Sequence, residues 1–79
     1  MWKEANNCLT RTFEFKDFKQ AFGFMTQVAL AAEKMNHHPD WSNSWNRVQI
    51  SLCTHDAGSK VTEKDRLLSA KIDEIYSGG

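Results

Sequence analysis

Apolar and polar residues alternate through Leu9-Thr10-Arg11-Thr12-Phe13-Glu14-Phe15, the period of a strand with one buried face. Trp2 to Asn6 reads as a partner strand. Asn6-Asn7 supplies the turn, because Asn tolerates the left-handed backbone that tight turns demand. At Asp17 the period changes: Phe18, Phe22, Met25, Ala29 and Ala32 recur at three- and four-residue spacing. That is one face of an amphipathic helix, and its Phe stripe is assigned to the core. Asp17 is a suitable N-cap. Pro39 sets the far limit, since the residue before a proline is pushed out of helical geometry. The helix is expected to end near Met35 or Asn36, and Asn suits a left-handed cap.

From Trp45 to Thr54 the period returns to two, with Val48, Ile50 and Leu52 on one face and Arg47, Gln49, Ser51 and Cys53 on the other. Ala57-Gly58-Ser59 reads as a turn. Thr62-Glu63-Lys64-Asp65 fits a capping box that opens a second helix. Leu68, Ile72 and Ile75 form its apolar stripe, and Ser77-Gly78-Gly79 reads as a frayed end. This order predicts an α+β fold, two helices on one face of a small antiparallel sheet with open edges. The chain has no internal repeat, low-complexity tract or linker, and its one proline is Pro39. A single domain over 1–79 is expected.

At 79 residues the core is small, since chains of this size bury only about 60% of their unfolded surface. Three Trp, five Phe and one Tyr must find a core, a partner or a ligand, and self-association is expected. Ten basic and ten acidic side chains balance, so nothing drives direct nucleic-acid binding electrostatically. Lys and Arg are scattered, which argues against a membrane-surface helix. There is neither a membrane-spanning apolar run nor a signal peptide at Met1-Trp2-Lys3-Glu4. The two cysteines, Cys8 and Cys53, lack a disulfide-framework spacing and read as free thiols in a reducing compartment.

All three histidines fall at element ends: His37-His38 past the first helix and His55 past the long strand. Imidazole titrates where proton transfer near neutrality needs it. Glu33 precedes His37 by four residues, so a persisting helix would let it orient or charge that ring. Asp40, Asp56 and Asp65 are further acids nearby, and Trp41 offers a flat apolar wall. Paired loop histidines are as often solvated polar residues. Zinc is a third reading, with His37, His38, His55, Cys53 and carboxylates as ligands. Against it, adjacent histidines in an extended segment diverge, and no second Cys is expected near Cys53. The chain shows no nucleophile motif, phosphate loop or dinucleotide fingerprint.

Glu33-Lys34-Met35-Asn36-His37-His38-Pro39-Asp40-Trp41, followed by Val48-Gln49-Ile50-Ser51-Leu52-Cys53-Thr54-His55-Asp56, resembles the pterin-4a-carbinolamine dehydratase family. So do Phe13 to Phe18, Ala21 to Met25, Val28-Ala29 and Thr62 to Asp65, and the likeness runs from Trp2 to Ile75. The resemblance implies a four-stranded antiparallel sheet with helices on one face, and a homodimer or homotetramer built through sheet edges and helix packing. It also implies a further N-terminal helix, which this chain starts too late to contain, so that part is expected to be either naturally absent or trimmed. The implied substrate is 4a-hydroxytetrahydrobiopterin left by aromatic amino-acid hydroxylases. The implied product is quinonoid dihydrobiopterin, for recycling to tetrahydrobiopterin with no cofactor and no metal. By resemblance His37, His38 and His55 are catalytic, and the segments Asn36 to His38 and Cys53, Thr54, His55 and Asp56 hold the pterin. Glu33, Trp41 and Asp65 match supporting positions.

Two features depart from the pattern. The turn Ala57 to Thr62 is one residue longer, which shifts Asp65 relative to His55 and weakens the case for its role. Trp45 replaces a common Tyr and removes a hydroxyl. Some animal relatives also bind a homeodomain transcription factor, so a non-catalytic dimerisation cofactor is the alternative function. Three retained histidines favour the enzyme. The resemblance places it in the cytoplasm, with the nucleus as a second location.

Overall fold

Asn6 and Asn7 both take left-handed backbone, with φ of 54° and 64°. They close a two-residue hairpin in which Ala5 faces Cys8, the loop chemistry that matches natural strand twist. The computed structural model describes residues 1–78. Its elements are β1 (Lys3–Ala5), β2 (Cys8–Glu14), α1 (Phe18–Met35), β3 (Asp40–Ser44), β4 (Arg47–Leu52), a 3₁₀ turn (His55–Ala57) and α2 (Glu63–Gly78). The strands form one antiparallel sheet in the order β1-β2-β4-β3, the expected α+β architecture. None of the described helices is long and apolar enough to cross a membrane.

The core lies between sheet and helices. Leu9 and Phe13 of β2 and Val48, Ile50 and Leu52 of β4 meet Ala21, Phe24, Val28 and Ala32 of α1 and Leu68 and Ile72 of α2. Phe13, Phe15, Phe24 and Tyr76 pack ring against ring, with centroids 4.9–5.8 Å apart. Trp2 and Arg11 both reach Asp73 at 2.8 Å and tie the hairpin to α2.

Three sequence expectations need correction. The buried stripe of α1 is Ala21, Phe24, Val28 and Ala32. Phe18 and Phe22 are 50% and 55% exposed, Ala29 is exposed, and Met25 lies at the border. The helix is apolar on two flanks, and periodicity alone does not say which one packs. The sheet takes the flank whose Ala and Val side chains allow close approach and whose Phe24 joins the ring cluster.

The strand expected from Trp45 begins at Arg47, and Trp45-Asn46 is the loop of a hairpin in which Ser44 faces Arg47. Trp45 has φ of 51°, a conformation that bulky residues adopt at a cost. The preceding strand, Asp40–Ser44, gave no periodic signal because Trp41 is its only large apolar residue. Finally, α2 continues through Ser77 and Gly78 instead of fraying. Gly79, the rest of that expected tail, lies outside the described residues.

Candidate functional site

The site grows out of two helix caps. Asp17 opens α1, its carboxylate accepting from the Gln20 N–H at 2.9 Å. At the other end Asn36 turns left-handed (φ 53°, ψ 42°). The Asn36 N–H then bonds the Glu33 carbonyl and the His37 N–H the Ala32 carbonyl, both at 3.1 Å. This paired closure is a Schellman motif. It redirects the chain so that His37 and His38 leave the helix axis in different directions.

The second cap belongs to α2. Asp65 is fully buried, and one of its oxygens accepts from the Thr62 N–H and the Thr54 hydroxyl, both at 2.8 Å. The other oxygen is 2.6 Å from His37 Nε2. Burial raises the pKa of this carboxyl, but hydrogen bonds from His37, the Thr62 N–H and Thr54 outweigh it and hold the group below its ordinary value of 3.8. Asp65 is therefore an anion and an acceptor, so the hydrogen of the shared bond sits on His37 Nε2. The remaining ring nitrogen, Nδ1, is left for other chemistry.

This geometry bears on two expectations. With the longer turn in place Asp65 still bonds His37, Thr54 and Thr62. The extra residue is absorbed by consecutive left-handed residues, Gly58 (φ 82°) and Ser59 (φ 56°), and closed by the Thr54 N–H on the Lys60 carbonyl at 2.9 Å. Glu33 does not pair with His37. The Schellman turn ends the helical register, and Glu33 Oε1 meets His38 Nε2 at 2.8 Å instead. His38 accordingly folds back to the last turn of α1.

His55 follows β4 on the 3₁₀ turn, with Nε2 at 3.4 Å from Asp40 Oδ2 and Nδ1 at 3.4 Å from Ser59 Oγ. Cys53 is buried where alternation placed it on a face with Arg47, Gln49 and Ser51. The β2–β4 register sets Leu9 against Leu52, which brings Cys8 opposite Cys53 in the next position. A second cysteine thus does lie beside Cys53, through strand pairing invisible in local spacing. The Cys8 thiol, through a hydrogen bond, and burial together push the Cys53 thiol up to about 11. Unaided, it is a neutral thiol near neutrality and a poor nucleophile. Both cysteines are free.

His37, His38 and His55 converge on one cleft of about 200 Å³. Asn36, His37 and His38 supply one side, Cys53, Thr54, His55 and Asp56 the other, and Lys64 of α2 adds a cation. Sequence reading met Lys64 only inside the capping box and gave it no place in the site; it reaches the cleft because α2 begins there. Trp41 does not line this cleft. It packs at the margin of the core and faces a shallow groove with Ser42, Gln49 and Ser51. Glu33 stands outside too and pairs with His38. A larger cavity of about 480 Å³ lies toward the opposite end of α1, beside Phe15, Gln20 and Tyr76. It contains no histidine or cysteine, so size and chemistry part company here.

The family model described as pterin 4 alpha carbinolamine dehydratase matches residues 1–75. The chain belongs to this family. A Rhodospirillum rubrum member, described as "Putative pterin-4-alpha-carbinolamine dehydratase", is 58% identical over 71 residues, covering 90% of this chain and 73% of its own. A Solibacter usitatus member of the same description is 53% identical over 77 residues, covering 98% and 80%. The crystal structure of a Brucella melitensis protein described as "transcriptional coactivator/pterin dehydratase" superposes with a TM-score of 0.90 at 47% identity, covering 95% of this chain and 81% of that one. A pterin dehydratase-like protein identified as a RuBisCO assembly factor in the alpha-carboxysome shares the fold, with a TM-score of 0.81 at 23% identity over 95% and 88% of the two chains.

Proposed function

We propose that this chain dehydrates a 4a-hydroxytetrahydropterin, and that the cleft between the Schellman turn and the 3₁₀ turn is its active site. The observation that carries the reading is the meeting of three histidines there, one fixed by a buried carboxylate. The reaction breaks the C4a–O bond and releases water. A proton is delivered to the departing hydroxyl, the N5 proton is removed, and a C4a–N5 double bond forms as the quinonoid dihydropterin. The acid and the base return to their starting states once the N5 proton is passed on, so no redox partner or metal enters the balance.

His37 suits the acid role. Asp65 accepts from Nε2–H and fixes the orientation of the ring, leaving Nδ1 as the atom that passes a proton to the departing hydroxyl. His55, reaching from the opposite side, takes the N5 proton. His38, held by Glu33, binds the ring as well as assisting transfer. Asn36, Thr54 and Asp56 provide hydrogen bonds to the pterin, and Cys53 packs against it. Each positioned acid or base is worth roughly 100- to 10,000-fold. Steady-state kinetics on both 4a epimers test the assignment. His37→Ala and His55→Ala should each lower kcat, His38→Ala should change KM as well, and the His37/His55 double variant should approach the uncatalysed rate. Near wild-type turnover by that double variant overturns the proposal.

A binding-module reading rests on a different observation, the outward flank of α1, where Phe18, Phe22 and Leu30 are 50%, 55% and 68% exposed. The Brucella melitensis protein is described as a transcriptional coactivator as well as a pterin dehydratase, and such a flank suits a protein partner. We favour self-association as its use, because a chain this short gains core by pairing. Light scattering at micromolar concentration should show at least a dimer. A species of 9.1 kDa alone would count against it.

A further inference from the structure

We infer that Asp40, Cys53 and His55 form a site for a thiophilic divalent cation of the zinc class, with Cys8 completing the set, and that filling it withdraws His55 from the cleft. One donor atom from each of the three residues lies within 4.8 Å of the others. A tetrahedral zinc site with bonds of about 2.0–2.3 Å has ligand atoms roughly 3.3–3.8 Å apart. Closure therefore needs side-chain adjustment and no backbone rearrangement. The groups that must move are free to do so: the His55 and Asp40 side chains are 66% and 70% exposed. Cys53 is anchored by burial.

Two independent features strengthen the site. The β2–β4 register continued by one pair, and a hydrogen bond between the thiols, set Cys8 beside Cys53, so a second sulfur lies next to the thiol, imidazole and carboxylate that already cluster. That set selects zinc-like ions over magnesium or calcium, which prefer all-oxygen cages. His55 Nδ1 already faces Ser59 Oγ at 3.4 Å while Nε2 faces Asp40. Metal-binding histidines are oriented by an acceptor behind the non-ligating nitrogen, and the Ser59 oxygen stands in that position. The ion would replace the Cys53 thiol proton, which leaves to solvent. One thiolate and one carboxylate then balance the dication, with Cys8 bound as a thiol or, after losing a second proton, as a thiolate. His37 and His38 take no part, since their carboxylate partners are Asp65 and Glu33.

The cation site stands on its own geometry; only its effect on turnover rests on the proposed dehydratase reading. The full chain, kept reduced, should be titrated with cobalt(II) as the spectroscopic probe. We expect one ion per chain, with thiolate-to-cobalt charge-transfer absorption and tetrahedral ligand-field bands, displaced by zinc. Cys53→Ser should abolish the charge-transfer band. Asp40→Asn and His55→Gln should weaken binding about tenfold or more, Cys8→Ser should weaken it while keeping a band, and His38→Gln should leave it unchanged. Circular dichroism verifies that each variant is folded. Absence of a thiolate band, or equal affinity in folded Cys53→Ser, overturns the site. In the turnover assay zinc should inhibit the wild type, and Asp40→Asn should need about tenfold more zinc for the same inhibition. Inhibition of Asp40→Asn at the wild-type zinc concentration, or its absence in a zinc-loaded wild type, overturns the link to His55. A chain without dehydratase activity refutes the functional reading while the cobalt titration still decides the metal site.

Discussion

Two histidine–carboxylate pairs flank the cleft at nearly the same separation and in opposite surroundings. His37–Asp65 spans 2.6 Å with side chains 10% and 0% exposed, whereas His38–Glu33 spans 2.8 Å with side chains 55% and 79% exposed. Distance alone would rank them equal. In the first pair Asp65 has left water and found Thr54, Thr62 and His37 in exchange, so each partner is irreplaceable and the ring is held rigidly. In the second, water competes for both groups and salt screens them. The buried arm fixes the orientation of its imidazole, and the exposed arm leaves its imidazole free to move.

The strongest way to break this contrast is Asp65→Ala. It strips the Thr62 N–H, the Thr54 hydroxyl and His37 of one shared acceptor. Removing one partner of a buried pair costs about 3–5 kcal/mol, and a shift of that size should appear in urea unfolding. A loss below about 1 kcal/mol would mean that water readily replaces the carboxylate. Acid should produce a graded version of the same loss. The Asp65 carboxyl is held below its ordinary 3.8 by hydrogen bonds that overcome its burial, so the unfolded chain takes up this proton at higher pH than the folded one does. Its stabilising share is complete above 3.8 and disappears as pH falls through the lower, folded value. Asp65→Asn should flatten this part of the stability curve below 3.8. An unchanged acid slope would show that another carboxylate governs acid unfolding.

How far the sequence discloses each arm follows from the range of the contacts. The cap of α1 was legible because Asp17, Asn36 and Pro39 act on their own neighbours, and the histidine segments were legible because they sit at element ends. The family likeness predicted the fourth strand, but Asp40–Ser44 alone did not, since an exposed edge strand carries little apolar alternation. Pairing across 28 residues, as between His37 and Asp65, leaves no local trace. The nearer Glu33, four residues before His37, was the natural local choice and proved to belong to His38. Likewise Cys8 meets Cys53 only through strand register. Which apolar flank of α1 packs was also hidden, because both flanks carry phenylalanine.

The turn that separates the two arms provides the next test. Asn36 holds φ of 53°, and everything that sends His37 and His38 apart depends on that conformation. A β-branched residue there meets its own carbonyl, at about 1–2 kcal/mol, whereas glycine adopts it without strain. Asn36→Val should lower the melting temperature and Asn36→Gly should leave it near wild type. Equal melting temperatures would show that the Schellman hydrogen bonds are not what orients the histidines.

The smallest expected effect is the most diagnostic of the exposed arm. Glu33→Gln keeps an oxygen acceptor for His38 Nε2 and removes only the charge, so the 2.8 Å contact has a neutral counterpart. With 79% of the Glu33 side chain in solvent, the charge was already screened, and exposed pairs of this kind contribute about 0–1 kcal/mol. The variant should unfold within about 0.5 kcal/mol of wild type. In the proposed dehydration its KM for a 4a-hydroxytetrahydropterin should change by no more than about twofold, the same free energy expressed as affinity. Any residual difference should shrink as salt is raised from about 0.01 to 0.15 M, over which the screening length falls from about 30 to 8 Å. Asp65→Asn measured in parallel should show no such salt dependence, because its charge is buried. A Glu33→Gln loss as large as that of Asp65→Ala would mean that burial does not separate the two pairs, and that Glu33 closes over the cleft when substrate is bound.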